Sequence, residues 1–432
     1  RLRLTGEFEN FDLDLSFLQQ DSVYNGSYET DITNDLQTAK LPQRSNTRFA
    51  PEKYVDEFDQ MSVTLSGNIG DDIDVVLTSS IFERDTEYTY DYSSYVEYYS
   101  YAAYSYYVCN YYEYYGYYYI DINDCRDPRM TYAQSNNIER SSTEVRISSN
   151  NESGFNWVLG AFQETNEKVT DVDYLQPGGS YYSSGLSGTW WEADLDRKGE
   201  IQAIFGEAYI DIGDKTQLTD GFRNYDQDMD LTASNGYYGN MSFGITNEKF
   251  KSSESGTIPK VNIKHNISDD LMVYGTYSEG FRPSGVNRLR PSDPAPKTYD
   301  ADYLESLELG FKSTIGDGKL VMNGAFYSMD WKDYQTTTYD LSLVAVAFVD
   351  NVGNAEITGI ELNMVYAIDD TTSLTYYYNG VDSTLSEDYY QNNVLYATSG
   401  NRLSSMPETS AYISLDKDYT LAGRSAYMNL DY

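Results

Sequence analysis

Long apolar runs are absent from this 432-residue chain. Runs such as Val344–Val349 stop far short of the roughly 20 residues that a membrane-spanning helix requires, and the mean hydropathy is negative, so a helical membrane protein is excluded. Histidine is almost missing. With His265 alone, and no Ser/His/Asp or metal-ligand constellation, hydrolytic and metal-dependent catalysis have nothing to stand on, and no enzyme is expected. Positive charge is scarce as well: 30 Lys and Arg face 68 Asp and Glu, a formal net charge of −38. Such a field repels nucleic acid and attracts cations, which makes calcium in acidic loops the one bound ion to expect. Only two cysteines occur, Cys109 and Cys125, close together in one loop. An even count at local spacing in an exported chain points to a disulfide, worth about 3 kcal/mol in the chain-entropy model. No basic-then-apolar leader precedes Arg1, which lies in mid-strand, so any export signal is expected upstream and the sequence reads as part of a longer protein.

What the chain does have is a two-residue beat. Phe11, Leu13, Leu15 and Phe17 alternate with Asp12, Asp14 and Ser16; Met61, Val63 and Leu65 alternate with Ser62, Thr64 and Ser66. Near the far end Ile360, Leu362, Met364 and Tyr366 follow the same period, and so do Ala426, Met428, Leu430 and Tyr432. Successive strand side chains point to opposite faces, so each segment has one apolar and one polar face. Strands of nine or more residues in this pattern, joined alternately by short turns and long polar insertions, predict an all-β, transmembrane antiparallel β-barrel.

About sixteen strands are legible, and residues 1–432 form one barrel domain. Turns are expected at Gly70–Asp72, Asn150–Gly154, Gly213–Asp214, Ser268–Asp270, Gly316–Gly318 and Asp369–Asp370, because Asp, Asn and Gly supply tight reversals. The opposite ends carry long loops, at about 21–56, 88–136, 170–200, 233–256, 282–302, 336–350 and 386–407. That asymmetry is the periplasmic-versus-extracellular pattern of outer-membrane barrels, and the long-loop end is the recognising end. Between Tyr88 and Tyr119 lie 17 of the 46 tyrosines, a low-complexity stretch that carries no residue-specific assignment.

Face assignment follows from the cost of charge in hydrocarbon. Leu307, Leu309 and Phe311 should face lipid, while Glu308, Lys312, Glu361, Asn363, Glu144 and Arg146 should line the lumen. Trp331, Tyr334, Tyr274 and Tyr277 are candidates for the aromatic girdles at the membrane interface.

The segment Tyr274–Arg288 (YGTYSEGFRPSGVNR) resembles a strand-and-loop signature in the barrel of TonB-dependent outer-membrane receptors. Pro259–Leu271 (PKVNIKHNISDDL), Leu304–Ser313 (LESLELGFKS), Asn323–Gln335 (NGAFYSMDWKDYQ) and Asn351–Leu362 (NVGNAEITGIEL) resemble further pieces of that barrel in the same order. Phe205–Thr219 (FGEAYIDIGDKTQLT), followed by Gly221, Phe222 and Arg223, resembles an earlier piece. The resemblance implies a 22-stranded barrel with an internal plug and a TonB box. Neither plug nor box is seen in this sequence, so the chain is expected to be part of such a barrel. It further implies energised uptake of a scarce solute; the acidic charge and the aromatic loops favour a neutral organic solute such as a carbohydrate, with a ferric siderophore, which the family often handles, as the alternative. The implied partners are outer-membrane lipid and lipopolysaccharide, the TonB complex, the solute and a candidate surface lipoprotein.

Candidate binding residues are Trp190 and Trp191 in a long loop and Arg282 and Asn287 after the signature strand. Asp226, Asp228 and Asp230 share one strand face and are placed at the lumen entrance or around a cation. The competing readings are a passive porin-like channel and a structural scaffold for a surface partner.

Overall fold

The computed structural model describes residues 1–26, 48, 50–92, 131–175, 189–237, 246–287, 296–340 and 346–432. Sixteen strands form one antiparallel meander: β1 (Leu2–Glu7), β2 (Phe11–Asn25), β3 (Lys53–Ile69), β4 (Ile73–Asp91), β5 (Thr131–Ser149), β6 (Phe155–Leu175), β7 (Thr189–Ile212), β8 (Thr216–Tyr237), β9 (Thr246–Ser268), β10 (Leu271–Arg282), β13 (Asp302–Ile315), β14 (Leu320–Lys332), β17 (Ala355–Asp369), β18 (Thr372–Leu385), β21 (Thr409–Leu421) and β22 (Arg424–Asp431). The remaining strands pair as three small hairpins inside the long connections: β11 (Gly285–Val286) with β12 (Thr298–Tyr299), β15 (Gln335–Asp340) with β16 (Val346–Asn351), and β19 (Tyr389–Gln391) with β20 (Val394–Ala397). All tight turns lie at one end of the sheet and all long connections at the other.

Cα partners across an antiparallel ladder share a face, so the register sorts every side chain. One face carries large exposed apolar residues, among them Met61, Ile81, Leu159, Ile204, Leu309 and Ile360. The opposite face carries buried residues, including Val172, Ala193, Tyr225, Leu231, Tyr327 and Ile357. The sheet therefore curls with the second face inward, and the apolar face is the lipid-facing wall. Leu307, Leu309 and Phe311 lie outward; Glu308, Lys312, Glu361, Asn363, Glu144 and Arg146 lie inward. The apolar stretch also drifts along the register. The row Leu4, Leu15, Val63 turns polar at Ser79, Thr143, Gln163 and Gln202, whereas a lower row becomes apolar at Ile210, Leu218, Ile263, Leu309, Phe326 and Ile360. Strands tilted by roughly 35–45° produce that drift, since a level membrane belt must cross successive ladder rows.

Several strands run further than the apolar beat alone indicates. β5 begins at Thr131 rather than near Ile138, β7 at Thr189 rather than near Ile201, and β9 at Thr246 rather than near Ile258. Above the belt the outward positions become acidic, as at Glu139, Glu167 and Asp196, and the contrast between faces that marks a strand disappears. The last hairpin reverses at Ala422 and Gly423, both at positive φ. Of the girdle candidates only Tyr277 faces outward on a sheet strand. Tyr274 points inward, donating to Glu308 at 2.7 Å, Trp331 sits in an inward cluster, and Tyr334 lies in a connection. Spacing could not separate them, because a shift of one residue reverses the face.

The sheet forks between β9 and β10. Their ladder ends at Lys260 opposite Ser278, while β9 stays paired to β8 up to Thr246. Pro259 occupies the first unpaired position, where a missing N–H cannot continue the ladder. Past the fork Tyr225 stacks on Phe281, with centroids 4.0 Å apart, and the backbone N–H of Ser284 donates to Glu254 at 3.0 Å.

The face assignment predicts that Leu309→Arg costs about 2–4 kcal/mol of folding free energy near the bilayer midplane, while Lys312→Gln on the inward face is tolerated. Urea-dependent folding into lipid vesicles measures both; equal costs would contradict the assignment.

Candidate functional site

Six successive strands each deliver an aromatic side chain to one level of the inner wall, near the long-loop end. Tyr24 opposes Tyr54, Tyr54 opposes Tyr88, and Tyr132 opposes Tyr174, which opposes Trp191. Ring centroids follow one another at 5.9 Å (Tyr24–Tyr54), 6.2 Å (Tyr54–Tyr88), 5.8 Å (Tyr88–Tyr132), 4.9 Å (Tyr132–Tyr174) and 5.1 Å (Tyr174–Trp191). Each such pair contributes roughly 0.5–1.5 kcal/mol beyond area burial, so the arc holds its shape without a ligand. A polar ladder runs beneath it. The Tyr88 and Tyr132 hydroxyls both donate to Gln134 Oε1 at 2.5 Å, Gln134 Nε2 donates to Asn136 Oδ1, and Asn136 Nδ2 donates to Thr86 Oγ1. One row lower, Arg84 forks onto Asp56 at 2.8 and 2.7 Å. The result is a rigid series of π faces with hydroxyls and a guanidinium at its lower edge.

The two faces also differ in charge, although the inward one carries acids too, with Asp56, Glu164, Glu144 and Glu207 paired to Arg84, Arg140, Arg146 and Lys260. Arg84, Arg140, Arg146, Lys168, Arg197, Arg223 and Lys260 all lie inward, whereas Asp59, Glu83, Asp85, Glu139, Glu167, Asp194 and Asp196 form an outward collar above the lipid belt.

The residues singled out from the sequence meet different fates. Trp191 lies in β7, not in a loop, and joins the arc; Trp190 sits beside it at a ladder irregularity, its side chain outside the described residues. Arg282 is committed to structure. Its guanidinium pairs with Asp302, whose side chain is 1% exposed, donates to the Gln335 carbonyl at 2.7 Å, and packs over the Trp331 ring at 4.7 Å. Asp302 also accepts from Trp331 Nε1 and from the Gln335 N–H, both at 2.9 Å. Asn287 is buried and ties its own connection to β16, donating to the Val349 carbonyl at 2.6 Å and accepting from the Val349 N–H at 2.7 Å. Both residues bind loop to wall.

Asp226, Asp228 and Asp230 do share a face, but it is the outward one, opposite Gln202, Glu200 and Lys198. They do not line the lumen, and Asp230 is paired with Lys251 at 2.8 Å. Among the described residues no group of three or more His, Cys, Asp or Glu side chains is placed to hold a metal ion. Cys109 and Cys125 lie outside the described residues.

Residues 4–432 match the family described as TonB dependent receptor-like, beta-barrel. The chain belongs to that family. It is accordingly a wall of an outer-membrane receptor barrel, and the family is one of receptors, not enzymes. Curated relatives include the pesticin receptors of Yersinia enterocolitica and Yersinia pestis, each 23% identical over 205 residues, covering 48% of this chain and 28% of the relative. Solved structures with the same fold include the ferric yersiniabactin uptake receptor FyuA from Yersinia pestis, with TM-score 0.71 and 13% identity over 98% of this chain and 56% of that one. The ferric-catecholate import receptor Fiu from E. coli K12 has TM-score 0.63 and 13% identity, over 95% and 60%. The chain thus spans little more than half the length of these structures.

The arc was not legible beforehand except through Trp191. Its tyrosines are separated by up to 44 positions, from Tyr88 to Tyr132, and only the ladder aligns them. The clasp around Asp302 was equally hidden, since an isolated aspartate before a strand signals nothing.

The loops over the opposite wall rest on a buried cluster of Tyr327, Val352, Ile357, Leu385, Tyr389 and Leu403. Burial, reinforced by its hydrogen bond to Asp350 at 2.6 Å, pushes the Tyr389 phenol above its ordinary pKa. A raised value means the contribution is complete below the unfolded phenol's range near pH 10 and is lost as pH rises through the higher folded value. Tyr389→Phe should remove about 1.5–3 kcal/mol of local stability at neutral pH, and Asp302→Asn should loosen the 283–301 and 333–354 connections by a similar amount. Limited proteolysis of the folded protein reads both as faster loop cleavage; unchanged cleavage would show that the bonds are dispensable.

Proposed function

We propose that this chain is the barrel wall of a receptor that carries a ferric siderophore across the outer membrane with energy delivered by TonB. The observation that carries the reading is the inner wall itself, a rigid aromatic arc above inward-facing arginines and lysines. An acidic chain argues against anionic iron chelates only while its charge is taken as uniform. Inward cations such as Arg197 and Arg223 weaken that objection, and the reading moves from a neutral solute to a ferric siderophore. Relatives named as pesticin, ferric yersiniabactin and ferric-catecholate receptors favour the same choice. Family membership favours a receptor over a passive channel. The described sheet runs from β1 to β22 with no pairing between them, and lipid does not tolerate an open sheet edge. We therefore take the sixteen strands as part of a 22-stranded barrel. In an exported protein of this kind Cys109 and Cys125 form a disulfide.

The test is a binding panel on the full-length receptor in detergent, following tryptophan fluorescence as ferric siderophores and neutral oligosaccharides are titrated. A ferric chelate should bind saturably, and Tyr132→Ala and Trp191→Ala should each weaken it by about 0.5–1.5 kcal/mol, roughly two- to tenfold in Kd. Saturable binding of oligosaccharides with no response to any ferric chelate would overturn the reading.

A further inference from the structure

Below the aromatic arc, at the base of the fork between β9 and β10, lies an open cavity of about 510 Å³. Arg146, Arg223 and Lys260 line it, with Glu144, Glu207, Glu279 and Phe205. Two of the cations are already matched by acids of the same wall: Arg146 by Glu144 at 2.9 Å, and Lys260 by Glu207 at 2.8 Å. Arg223 is different. Among the described residues its guanidinium has no carboxylate, and its one contact is the face of Phe162, 5.3 Å from the ring centroid. The third carboxylate, Glu279, accepts from the Tyr277 hydroxyl, so the three cations meet three acids and Arg223 is the cation that no acid matches.

The site is built rather than incidental. Along one ladder row the order is Arg146, Gly160, Phe205, Arg223, which sets the two arginines about 14 Å apart at the backbone, on either side of an aromatic floor. Gly160 is what lets that floor lie flat, since a Cβ there would meet the Phe205 ring at 2.3 Å. Gly221 plays the same part for Glu207, whose Cγ would be 2.9 Å from an added Cβ; the carboxylate crosses that space to reach Lys260. A guanidinium held over a ring, with no carboxylate paired to it among the described residues, is suited to a planar bidentate acceptor.

We infer that this cavity is a binding site for a small carboxylate-bearing anion, with Arg223 as its anchor. The site goes beyond the uptake reading, because it is defined by this chain's own residues whichever solute the receptor carries. Isothermal titration of the full-length receptor in detergent with succinate tests it without iron and without TonB. Succinate should bind, Arg223→Gln should weaken it at least tenfold, and Arg223→Lys should fall between, a point charge replacing a fork. Glu207→Gln should strengthen binding several-fold, because Lys260 is released to the anion; a merely structural role for the cluster would not produce a gain. Equal succinate affinity in wild type and Arg223→Gln, with both migrating as folded barrels in unheated gels, overturns the site. Inorganic phosphate binding more tightly than succinate overturns the carboxylate assignment. Failure of siderophore binding with succinate binding intact would fall on the uptake reading alone.

Discussion

Every backbone N–H and C=O within hydrocarbon must find a partner inside the protein, and in this chain the antiparallel ladder supplies it. The ladder has a second effect that governs everything above it. Because side chains alternate with period two and partners share a face, pairing one strand to the next decides for both which residues meet lipid and which meet the lumen. The outward row of Leu309, Phe326 and Ile360 and the inward row of Glu308, Tyr327 and Gly359 are consequences of one register. The aromatic arc, the inward arginines and the acidic collar are further consequences. None of them is local in sequence.

The two sides of the wall use this frame differently. From β2 to β9 the strands rise past the belt as a tall wall whose inner surface is lined by the arc and its polar ladder. From β10 to β21 the strands stop sooner, and the connections between them fold back over a buried cluster and lock there through Asp302, Asn287 and Tyr389. Pro259 marks the border, where β9 and β10 part. Recognition surface and loop platform thus occupy different parts of the sheet at its long-loop end, one made of strand residues and the other of connections.

Charge illustrates how far composition can mislead. A formal charge of −38 describes the chain in dilute solution, yet a wall only one side chain thick can carry its charges unevenly on its two surfaces. Glu139 and Arg140 are adjacent in sequence and point in opposite directions. A solute in the lumen meets Arg84, Arg197 and Arg223, while lipid headgroups meet Asp59, Glu83 and Glu167.

What the sequence determined by itself is what period and turn chemistry encode: all-β class, sixteen spanning strands, short turns at one end, and the facing of Leu309 and Glu308 or Ile360 and Glu361. Residue type at alternate positions carries that information wherever lipid lies on one side and water on the other. It fades above the membrane, where both faces are polar, so the upper halves of β5, β7 and β9 read as loop and Asp226, Asp228 and Asp230 could be given a common face but not its direction. Only the tertiary structure brought Tyr24, Tyr54, Tyr88, Tyr132, Tyr174 and Trp191 to one level, turned Arg282 and Asn287 from ligand candidates into clasps, and left Arg223 without a carboxylate. Those outcomes depend on which strand lies beside which and at what register, and neither is written in any single stretch of the chain.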